Sequence, residues 1–400
     1  MRDSNGPAAV HRSRRRLPPR HTFTTQFISE TMTAIRFVML GGFLGAGKTT
    51  TIARLARHYQ DRGLKVGIVT NDQATDLVDT NSLRAQGFDV GEVPGACFCC
   101  NFNKLTETVA ELERSARPDV VLAEPVGSCT DLVATVVRPL QQLFGGTFDV
   151  APYAVLLKPS HGGRILRNEP RAGFSPQAAY IFKKQLEEAD LIVINRLDEL
   201  PPAEADALAA LLARDYSQTP VMRMSAKTGA GFDALVEFLD QRGAFGRRIL
   251  ELDYDTYAAG EAELGWLNSS LTVRAARPFA LDALLLDIIG RLQQSLAALA
   301  AETAHLKAIG MADGAYGVAN LVSSFSPPEL SLPARAQTVE AQLVVNARVA
   351  VDPEILTARV EQAVREACAA LRATAAFQQT QSFRPGRPVP THRILEPVSS

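Results

Sequence analysis

The sequence predicts an α/β protein: a doubly wound, mostly parallel sheet of the P-loop type, joined to a second, smaller α+β domain. Three observations support this class. A phosphate-binding loop follows an apolar run near residue 41, and short apolar runs then alternate with helical segments to about residue 240. Beyond that point the residue pattern changes to one long alternating strand and two amphipathic helices. Strands separated by helices indicate a parallel sheet that is covered on both faces.

The phosphate-binding loop is the most specific motif in the chain. From Gly42 it reads G-x-x-x-x-G-K-T, between a run of strand length and a helical pattern. Its glycines let backbone N–H groups turn toward a β-phosphate, and the following helix N-terminus adds partial positive charge. Lys48 is expected to reach the β- and γ-phosphates, and the Thr49 hydroxyl to bind Mg²⁺. The residues predicted to hold the nucleotide here are Gly42, Gly45, Ala46, Gly47, Lys48, Thr49 and Thr50.

The elements of the first domain follow in order from this loop. Strands are predicted at Ile35–Leu40, Lys65–Thr70, Val120–Ala123, Tyr153–Leu157, Leu191–Ile194 and Val221–Met224, and helices at Asp131–Phe144, Gln177–Ala189 and Ala203–Asp215. Residues 158–176 are rich in Lys, Arg, Gly and Pro and predict a surface insertion. Ligands of such a sheet bind at the carboxyl ends of its strands.

The second domain reads as a small α+β unit with a split β-α-β arrangement. Its predicted elements are strands at Gly265–Arg274 and Val339–Val351, one or two strands within His305–Ser323, and helices at Leu281–Leu299 and Pro353–Ala376. The strand at Val339–Val351 has one apolar side and one mostly polar side, so we expect its sheet to be covered on one face. The chain from Phe383 onward is expected to be irregular.

Composition narrows the class of partner. The 400 residues are 46% hydrophobic and 21% charged, with a net charge of −1, so no global field favours nucleic acid or membrane. No apolar run approaches the roughly 20 residues of a membrane span. Five cysteines are too few for a disulfide framework, and we expect a cytoplasmic protein.

Two motifs at strand ends favour guanine over adenine. Asn195–Asp198 resembles the N-K-x-D box, whose carboxylate accepts hydrogen bonds from the N1 and N2 groups of guanine. Arg196 stands where lysine is usual, and its aliphatic stem can still cover the base. Ser225-Ala226-Lys227 follows the next strand and matches the box whose backbone reaches the guanine O6. A helix cap is the alternative interpretation of Asp198.

Carboxylates at two other strand ends predict a magnesium site. Glu124 follows the third strand and can hold magnesium or its water, while Gly127 can turn its N–H toward a γ-phosphate. Asp72, after the second strand, is the other acidic candidate. Helix capping is the alternative role for both carboxylates. The predicted hydrolytic residues are therefore Lys48, Thr49, Glu124 and Gly127.

The stretch Cys97-Phe98-Cys99-Cys100 places three thiols in one short loop. We favour metal binding, because zinc takes thiolates among four ligands, or three with an open position. Ligation by all three is geometrically demanding, so two thiolates with Asp72, a histidine or water form an alternative. Buried structural cysteines and a redox pair are the others. Cys368 is expected in the core, and Cys129 is expected near the nucleotide without a role.

The position of the thiol loop suggests a nucleotide-dependent metal site. It lies between Asp72 and Glu124, the two segments expected to sense the γ-phosphate. Switching a two-state equilibrium from 1:99 to 99:1 takes about 5.5 kcal/mol of differential binding. Losing one metal ligand can supply this, because structural zinc sites carry apparent binding energies of about 10–16 kcal/mol.

Together these motifs resemble those of the CobW-like GTPases, relatives of the urease and hydrogenase nickel-insertion GTPases. The matching stretches are Gly41–Thr50, Cys97–Cys100, Glu124–Gly127, Asn195–Asp198 and Ser225–Lys227. The resemblance implies slow hydrolysis of GTP to GDP and phosphate, coupled to delivery of a transition metal, commonly zinc or cobalt, to a client protein. It places Thr49, Asp72 and Glu124 on magnesium positions and Cys97, Cys99 and Cys100 on the transition-metal site.

The chain departs from the family pattern in two places. Asn71-Asp72-Gln73-Ala74 replaces an acidic Asn-Glu-Phe-Gly stretch, which leaves a metal ligand from that loop open. Only six histidines are present, so we expect no histidine-rich metal reservoir. Two other functions fit the motifs, namely a P-loop ATPase or small-molecule kinase, and a nucleotide-switched binding module without metal delivery.

The motifs and pattern changes define four predicted segments. Residues 1–31 form a basic tail that is expected to be disordered, with a transit peptide or a nucleic-acid arm as alternatives. If the cell makes the shorter form, N-terminal sequencing of native protein should find Met32 or Thr33 first. Residues 32–246 form the P-loop GTPase domain, 247–385 the C-terminal α+β CobW-like domain, and 386–400 an irregular tail.

Overall fold

Two β-sheets organise the part of the chain that the structure describes. This computed structural model describes residues 34–72, 80, 83–84, 86–94, 97–169 and 175–396. The first sheet is parallel and the second antiparallel, and helices cover both, which confirms the predicted fold class. The predicted basic tail, residues 1–31, lies outside the described residues.

The first sheet is centred on the strand that precedes the phosphate-binding loop. Its strands are β1 (Ile35–Gly42), β2 (Val66–Asp72), β3 (Asp89–Pro94), β4 (Val120–Glu124), β5 (Phe148–Val150), β6 (Ala154–Leu157), β7 (Leu191–Ile194) and β8 (Val221–Arg223). Within the described residues the order is β3-β2-β4-β1-β6-β7-β8, with β5 also paired to β1. The strand order reverses at β1, where α/β sheets open their ligand crevice.

Helices pack on both faces of this sheet. They are α1 (Lys48–Asp61), α2 (Phe102–Ala116), a π-helical turn (Val133–Val137) that continues into α3 (Arg138–Leu143), α4 (Pro159–Leu166), α5 (Pro176–Glu188), α6 (Pro202–Asp215), α7 (Phe232–Leu239) and α8 (Tyr254–Ala262). Alternate residues of β1 point to opposite faces. Val38 and Leu40 pack with α1 and α7, whereas Phe37 and Met39 pack with α2, α5 and the cysteine loop.

The prediction of a surface insertion at residues 158–176 is wrong for those of its residues that the structure describes. Residues 159–166 form α4, and three of its own side chains, His161, Ile165 and Leu166, are buried. Gly162 lets the helix approach β6 closely, because a Cβ there would lie 2.8 Å from Leu157 Cγ. The polar composition concealed this buried face, and residues 170–174 lie outside the described residues.

The second sheet is built from two interleaved split β-α-β units. Its strands are β9 (Gly265–Ala280), β10 (Thr303–Ala312), β11 (Ala315–Leu321), β12 (Glu329–Leu332), β13 (Gln337–Val349) and β14 (Ala373–Phe383), and its helices are α9 (Leu281–Ala297) and α10 (Pro353–Ala370). In the described part the order is β12-β11-β10-β13-β9-β14, so β13 lies between β9 and β10. The two helices cover one face and enclose a separate apolar core.

Two expectations for the second sheet are corrected. The last helix was expected to reach Ala376, but α10 ends at Ala370, since Arg372 turns the chain with a φ of 54° and β14 begins at Ala373. The polar side of β13 was expected to be largely open. Val344, Asn346 and Arg348 are instead only 4–5% exposed. The phosphate-loop end of the first sheet faces these residues across a shared cavity.

Among the described residues, no helix combines the length and apolar character needed to cross a membrane. The C-terminal segment, defined here as residues 387–396, has no regular secondary structure, as predicted. It nevertheless lies along the first domain and hydrogen-bonds to it.

Candidate nucleotide and metal site

The phosphate-binding loop has the geometry that its sequence predicts. It leaves β1 and enters α1 at Lys48, directly after Gly47, whose φ is 91°. A Cβ at Gly47 would lie 2.3 Å from Asn195 Nδ2, so glycine is needed for space as well as conformation. Lys48 Nζ donates to Gly42 O at 3.0 Å, which holds the ammonium over the loop. Gly45, Ala46, Thr49 and Thr50 line the same cavity.

The structure brings Thr49 and Glu124 together. Thr49 Oγ1 donates to Glu124 Oε1 at 2.9 Å, and Glu124 is buried at the end of β4. Gly127 lies against the phosphate-binding loop, since a Cβ there would be 2.8 Å from Leu44 Cδ2. The backbone of Asp72 ends β2, but its side chain lies outside the described residues. The hydroxyl, the carboxylate and the glycine therefore meet at one end of the cavity.

Asn195 connects the phosphate-binding loop to the loop after β8. Its Nδ2 donates to Ala46 O at 2.8 Å, and its Oδ1 accepts from the Ala226 N–H at 2.9 Å. Asp198 is exposed, and its Oδ1 accepts from Ser225 Oγ at 2.5 Å. The predicted base-recognition residues therefore form one connected group, with one carboxylate reaching the surface.

Further contacts fix this loop from outside the predicted motifs. Arg54 of α1 donates to Ala226 O at 2.9 Å and to Lys227 O at 3.1 Å. Arg196 donates to Glu199 Oε1 at 2.7 Å and pairs with Glu329 of β12 at 3.3 Å. Arg196 thus links the end of β7 to the second sheet. A lysine lacks the planar guanidinium group that contacts two carboxylates at once. This difference explains the arginine at this position.

A cavity of about 700 Å³ lies between the phosphate-binding loop and the second sheet. Its second wall is the polar side of that sheet, formed by Trp266, His305, Lys307, Asn320, Asn346 and Arg348. Sequence reasoning did not assign these residues to the site. The sequence pattern that could have indicated them is the polar residue at every second position of otherwise apolar strands. We interpreted this pattern as a sheet face that is mostly open to solvent.

Lys158 joins the two walls of this cavity. The side chain is buried directly after β6 and donates to Ala304 O at 3.3 Å and to Val322 O, both in the second domain. A Cβ on Gly45 would lie 3.1 Å from Lys158 Nζ. Burial lowers the pKa of Lys158 well below its usual range. No motif marked this residue, which lies within the predicted surface insertion.

The thiol loop gathers its three sulfur atoms into one cluster. Cys97 Sγ lies 2.9 Å from Cys99 Sγ and 3.2 Å from Cys100 Sγ, and the other pair is 3.7 Å apart. A hydrogen bond of 3.0 Å from the Cys100 N–H to Cys97 O closes the turn. These three thiols could hold a metal ion together, even though two of them are adjacent in sequence.

Asn71, next to Asp72, positions this loop. Its Oδ1 accepts from the Phe98 N–H at 2.7 Å, and its Nδ2 donates to Val93 O at 2.7 Å. Asn71 also lines the nucleotide cavity, so one residue contacts the thiol loop and borders the nucleotide site. No sequence motif marked Asn71, because Asp72, the acidic residue that follows it, is the one predicted to bind metal.

Hydrogen bonding within the cluster separates the pKa values of its thiols. Hydrogen bonds from Cys100, Cys129 and Cys99 hold the pKa of Cys97 well below its usual range. The hydrogen bond to Cys97 raises the pKa of Cys100 to about 11. Cys129, expected near the nucleotide without a role, is buried in the same apolar cluster as Cys97 and Cys99.

The C-terminal segment covers the thiol loop. Thr391 donates from its N–H to Cys99 O at 2.8 Å and from Oγ1 to Cys100 O at 3.1 Å. The ring of His392 packs edge-on against Phe102, with centroids 5.2 Å apart. Arg393 pairs with the buried carboxylate of Asp131 at 2.6 Å. The sequence of this segment predicted an irregular tail and did not indicate its contacts with the thiol loop.

Comparisons with known proteins give a family and several relatives. The family described as CobW/HypB/UreG, nucleotide-binding domain, matches residues 36–223. Urease accessory protein UreG 1 of Streptomyces griseus is 31% identical over 211 residues, which cover 50% of this chain and 80% of that protein. Zinc chaperone YeiR of Escherichia coli is 30% identical over 173 residues, or 42% of this chain, and the match spans only 49% of YeiR. The crystal structure of Zn(II)-bound YjiA GTPase from Escherichia coli covers 82% of this chain and 99% of its own, at 13% identity and a TM-score of 0.35.

Proposed function

Because the chain belongs to the CobW/HypB/UreG family, we propose that it binds GTP, hydrolyses it to GDP and phosphate, and couples this reaction to metal delivery. The cargo is a transition metal, zinc or cobalt, and the recipient is a metal-requiring client protein in the cytoplasm. The observation that carries this proposal is the proximity of a three-thiol cluster to a phosphate-binding loop, with Asn71 at the border of both.

The nucleotide half of the proposal assigns roles along the cavity. Lys48 moves from Gly42 O to the β- and γ-phosphates when nucleotide enters. Thr49 and Glu124, already in contact, hold magnesium directly or through water, and Asp72 is the further acidic candidate. The N–H of Gly127 senses the γ-phosphate. Asp198 selects guanine, supported by Asn195 and by Ser225–Lys227.

The metal half rests on the chemistry of the thiol cluster. Thiolates are soft ligands and favour zinc or cobalt over magnesium, which prefers oxygen. Cys97, already the most acidic thiol of the group, provides the first thiolate. Metal binding then releases the protons of the remaining ligands. The relatives named zinc chaperone and urease accessory protein support a delivery role.

A cobalt titration tests this function. Reduced, metal-free protein is titrated with Co²⁺ in the presence of Mg²⁺ and GTP, and thiolate-to-cobalt charge-transfer absorption is recorded. We expect saturation at one Co²⁺ per chain. Cys97→Ser should weaken binding by at least tenfold, because it removes a ligand of the cluster.

Cys368→Ser is the matched control, since this thiol is buried in the separate core of the second domain. It should bind cobalt like the unaltered protein. Equal cobalt binding by the Cys97→Ser variant would contradict the metal site. ATP displacing GTP at equal concentration would instead favour the ATPase or kinase interpretation and remove Asp198 from the site.

A further inference from the structure

The second wall of the nucleotide cavity is positively charged. It contains Lys307 of β10 and Arg348 of β13, and none of the described residues that line this wall is an Asp or a Glu. Both cations are buried, Lys307 at 8% exposure and Arg348 at 4%. Positive side chains that line a cleft with low-dielectric walls raise the local concentration of anions. We therefore expect the ligand that meets this wall to be an anion.

Arg348 lies at the centre of a row of three side chains that crosses the second sheet. It pairs directly with Trp266 of β9 on one side and with His305 of β10 on the other. Directly opposed residues of antiparallel strands share one face of the sheet, and all three of these side chains line the cavity. The two ends of the row therefore fix where Arg348 lies relative to the first domain.

The β9 end of the row shares an apolar core with the loops around the expected γ-phosphate position. Trp266 is buried in the same apolar cluster as Leu44 of the phosphate-binding loop and Val126. Val126 directly precedes Gly127, the residue whose N–H the proposed function assigns to the γ-phosphate. This end of the row therefore belongs to the phosphate side of the cavity and not to the base side.

The β10 end of the row is held against the phosphate-binding loop by Lys158. The ammonium donates to Ala304 O at 3.3 Å, and Ala304 directly precedes His305. A Cβ on Gly45 of the loop would lie 3.1 Å from the same Nζ. Because both ends of the row are fixed at this loop, Arg348 between them faces the phosphate site.

The guanidinium group of Arg348 is held in a fixed orientation. Its Nη1 donates to Ala347 O at 2.9 Å and to Leu267 O at 3.3 Å. Its central carbon lies 4.0 Å from the centre of the Trp266 ring, in a cation–π contact. A planar guanidinium suits phosphate oxygens, and one that is already oriented loses less side-chain entropy when it binds them.

The indole N–H of Trp266 provides a second, independent indication of a ligand. Trp266 is only 1% exposed, and its Nε1 has no hydrogen-bond partner among the residues that the structure describes. Buried N–H donors are nearly always paired in native proteins. Since Trp266 lines the cavity, an acceptor atom of a ligand there can satisfy this donor.

We propose that Arg348 and Trp266 bind the γ-phosphate of GTP, so that the second domain completes the phosphate site. The assignment rests on the proposed function and adds two residues to it. Arg348 neutralises charge on the γ-phosphate oxygens, and Trp266 Nε1 donates to one of them. The water oxygen bonds to the γ-phosphorus as the bond to the β–γ bridging oxygen breaks, and that oxygen leaves with GDP. One water proton stays on the phosphate, the other passes to solvent, and Arg348 keeps its own.

Tryptophan fluorescence tests the contact in the unaltered protein, because Trp266 is the only tryptophan of the chain. We expect saturation with Mg²⁺ and a non-hydrolysable GTP analogue to shift or quench the emission, and saturation with Mg²⁺ and GDP to leave it as in the nucleotide-free protein. Displacement of a fluorescent nucleotide measures binding separately. Identical emission with both nucleotides bound would overturn the proposal and leave GTP binding intact.

Arg348→Met tests the role of the guanidinium in hydrolysis. Loss of one preorganised donor to transition-state charge costs about 10²–10³ in kcat, so the single-turnover rate of GTP hydrolysis should fall at least about tenfold. GDP affinity should stay the same, because GDP lacks the γ-phosphate. Arg274→Met is the matched control, since Arg274 of β9 is exposed and pairs with Glu340. It should hydrolyse GTP at the unaltered rate.

Trp266→Phe provides the corresponding test if the methionine variant does not fold. It keeps an aromatic ring beside Arg348 and removes the N–H, so the ratio of the affinities for GTP analogue and GDP should fall. An unchanged hydrolysis rate in Arg348→Met, or an unchanged affinity ratio in Trp266→Phe, would overturn the proposal while GTP hydrolysis by the unaltered protein stands. If the unaltered protein neither binds nor hydrolyses GTP, the proposed function fails as well.

Discussion

Asp198 is the side chain to which the proposed function assigns base selection. Its carboxylate is exposed at the end of β7 and accepts from Ser225 Oγ, while Asn195 beneath it joins two loops and is only 1% exposed. The two residues of the box therefore differ in what they do. Asn195 maintains the architecture of the pocket, and Asp198 is free to meet the ring nitrogens of the base.

Asp198→Asn should exchange guanine for xanthine specificity. The amide cannot accept from both N1 and N2 of guanine, but its NH₂ group can donate to the 2-oxo group of xanthine. Hydrogen bonds to charged groups contribute about 1.5–3 kcal/mol each, so GTP affinity should fall at least tenfold. XTP affinity should rise, and competition with a fluorescent nucleotide measures both.

Asp206→Asn is the control for this exchange, because it alters an exposed carboxylate of α6 that pairs with Arg223. It should leave GTP binding unchanged. If Asp198→Asn retains full GTP affinity, the carboxylate does not read the base.

At the scale of elements, the C-terminal segment is the part that most changes the view of the metal site. Residues that look irregular in sequence lie over the cysteine loop, and Thr391 bonds to the carbonyls of both Cys99 and Cys100. Arg393 anchors the segment at Asp131. The half-buried Cys100 therefore lies beneath the C-terminal segment, and the proposed function requires this segment to shift before a client reaches a metal held there.

Thr391→Pro should speed metal loss. Proline provides neither the N–H nor the hydroxyl, and the two lost hydrogen bonds contribute about 1–3 kcal/mol together. Transfer of zinc to a coloured chelator should accelerate roughly tenfold, while the GTP hydrolysis rate stays the same. Thr391→Val keeps the N–H and should give an intermediate rate. An unaltered transfer rate in the proline variant would show that the segment does not limit metal exit.

The elements also show what sequence can and cannot predict. The ends of the strands that carry motifs were predicted correctly. Each is marked by a local pattern, in which an apolar run is followed by a glycine-rich loop, a carboxylate or an amide. The short strand β3 was missed, since Asp89–Pro94 lacks an apolar run. The end of α10 was misplaced, because Ala373, Ala375 and Ala376 suit a helix, whereas the turn at Arg372 redirects the chain into β14.

The parts of the site that sequence could not predict are those made by distant segments. Lys158 is 146 residues before Ala304, whose carbonyl it contacts, and Thr391 is 291 residues beyond Cys100. Lys307 and Arg348 reach the cavity only because the second sheet turns its polar side toward the phosphate-binding loop. Such contacts depend on tertiary packing, which residue spacing does not encode.

At the scale of the whole molecule, the two sheets enclose the nucleotide cavity from opposite sides. Lys158 binds carbonyl groups of the second domain, and Arg196 pairs with Glu329 on β12. Both links start at strand ends of the first sheet that border the cavity. These two links connect the border of the cavity directly to the second sheet.

The proposed coupling requires metal and nucleotide binding to be reciprocal. If GTP raises the affinity for metal by some factor, metal must raise the affinity for GTP by the same factor. Coupling of this kind usually amounts to about 1–3 kcal/mol, or roughly 5- to 150-fold. In the proposed function Asn71 is the residue that both ligands would bias, because it borders the cavity and accepts from the Phe98 N–H of the thiol loop.

The most direct test of the account is the zinc affinity of the unaltered protein in two nucleotide states. Competition with a chelator of known affinity measures it with Mg²⁺ and a non-hydrolysable GTP analogue, and again with Mg²⁺ and GDP. We predict affinities that differ by at least about fivefold, with the same factor recovered when nucleotide affinity is measured with and without zinc. Equal zinc affinities in the two states would contradict the coupling of GTP hydrolysis to metal delivery.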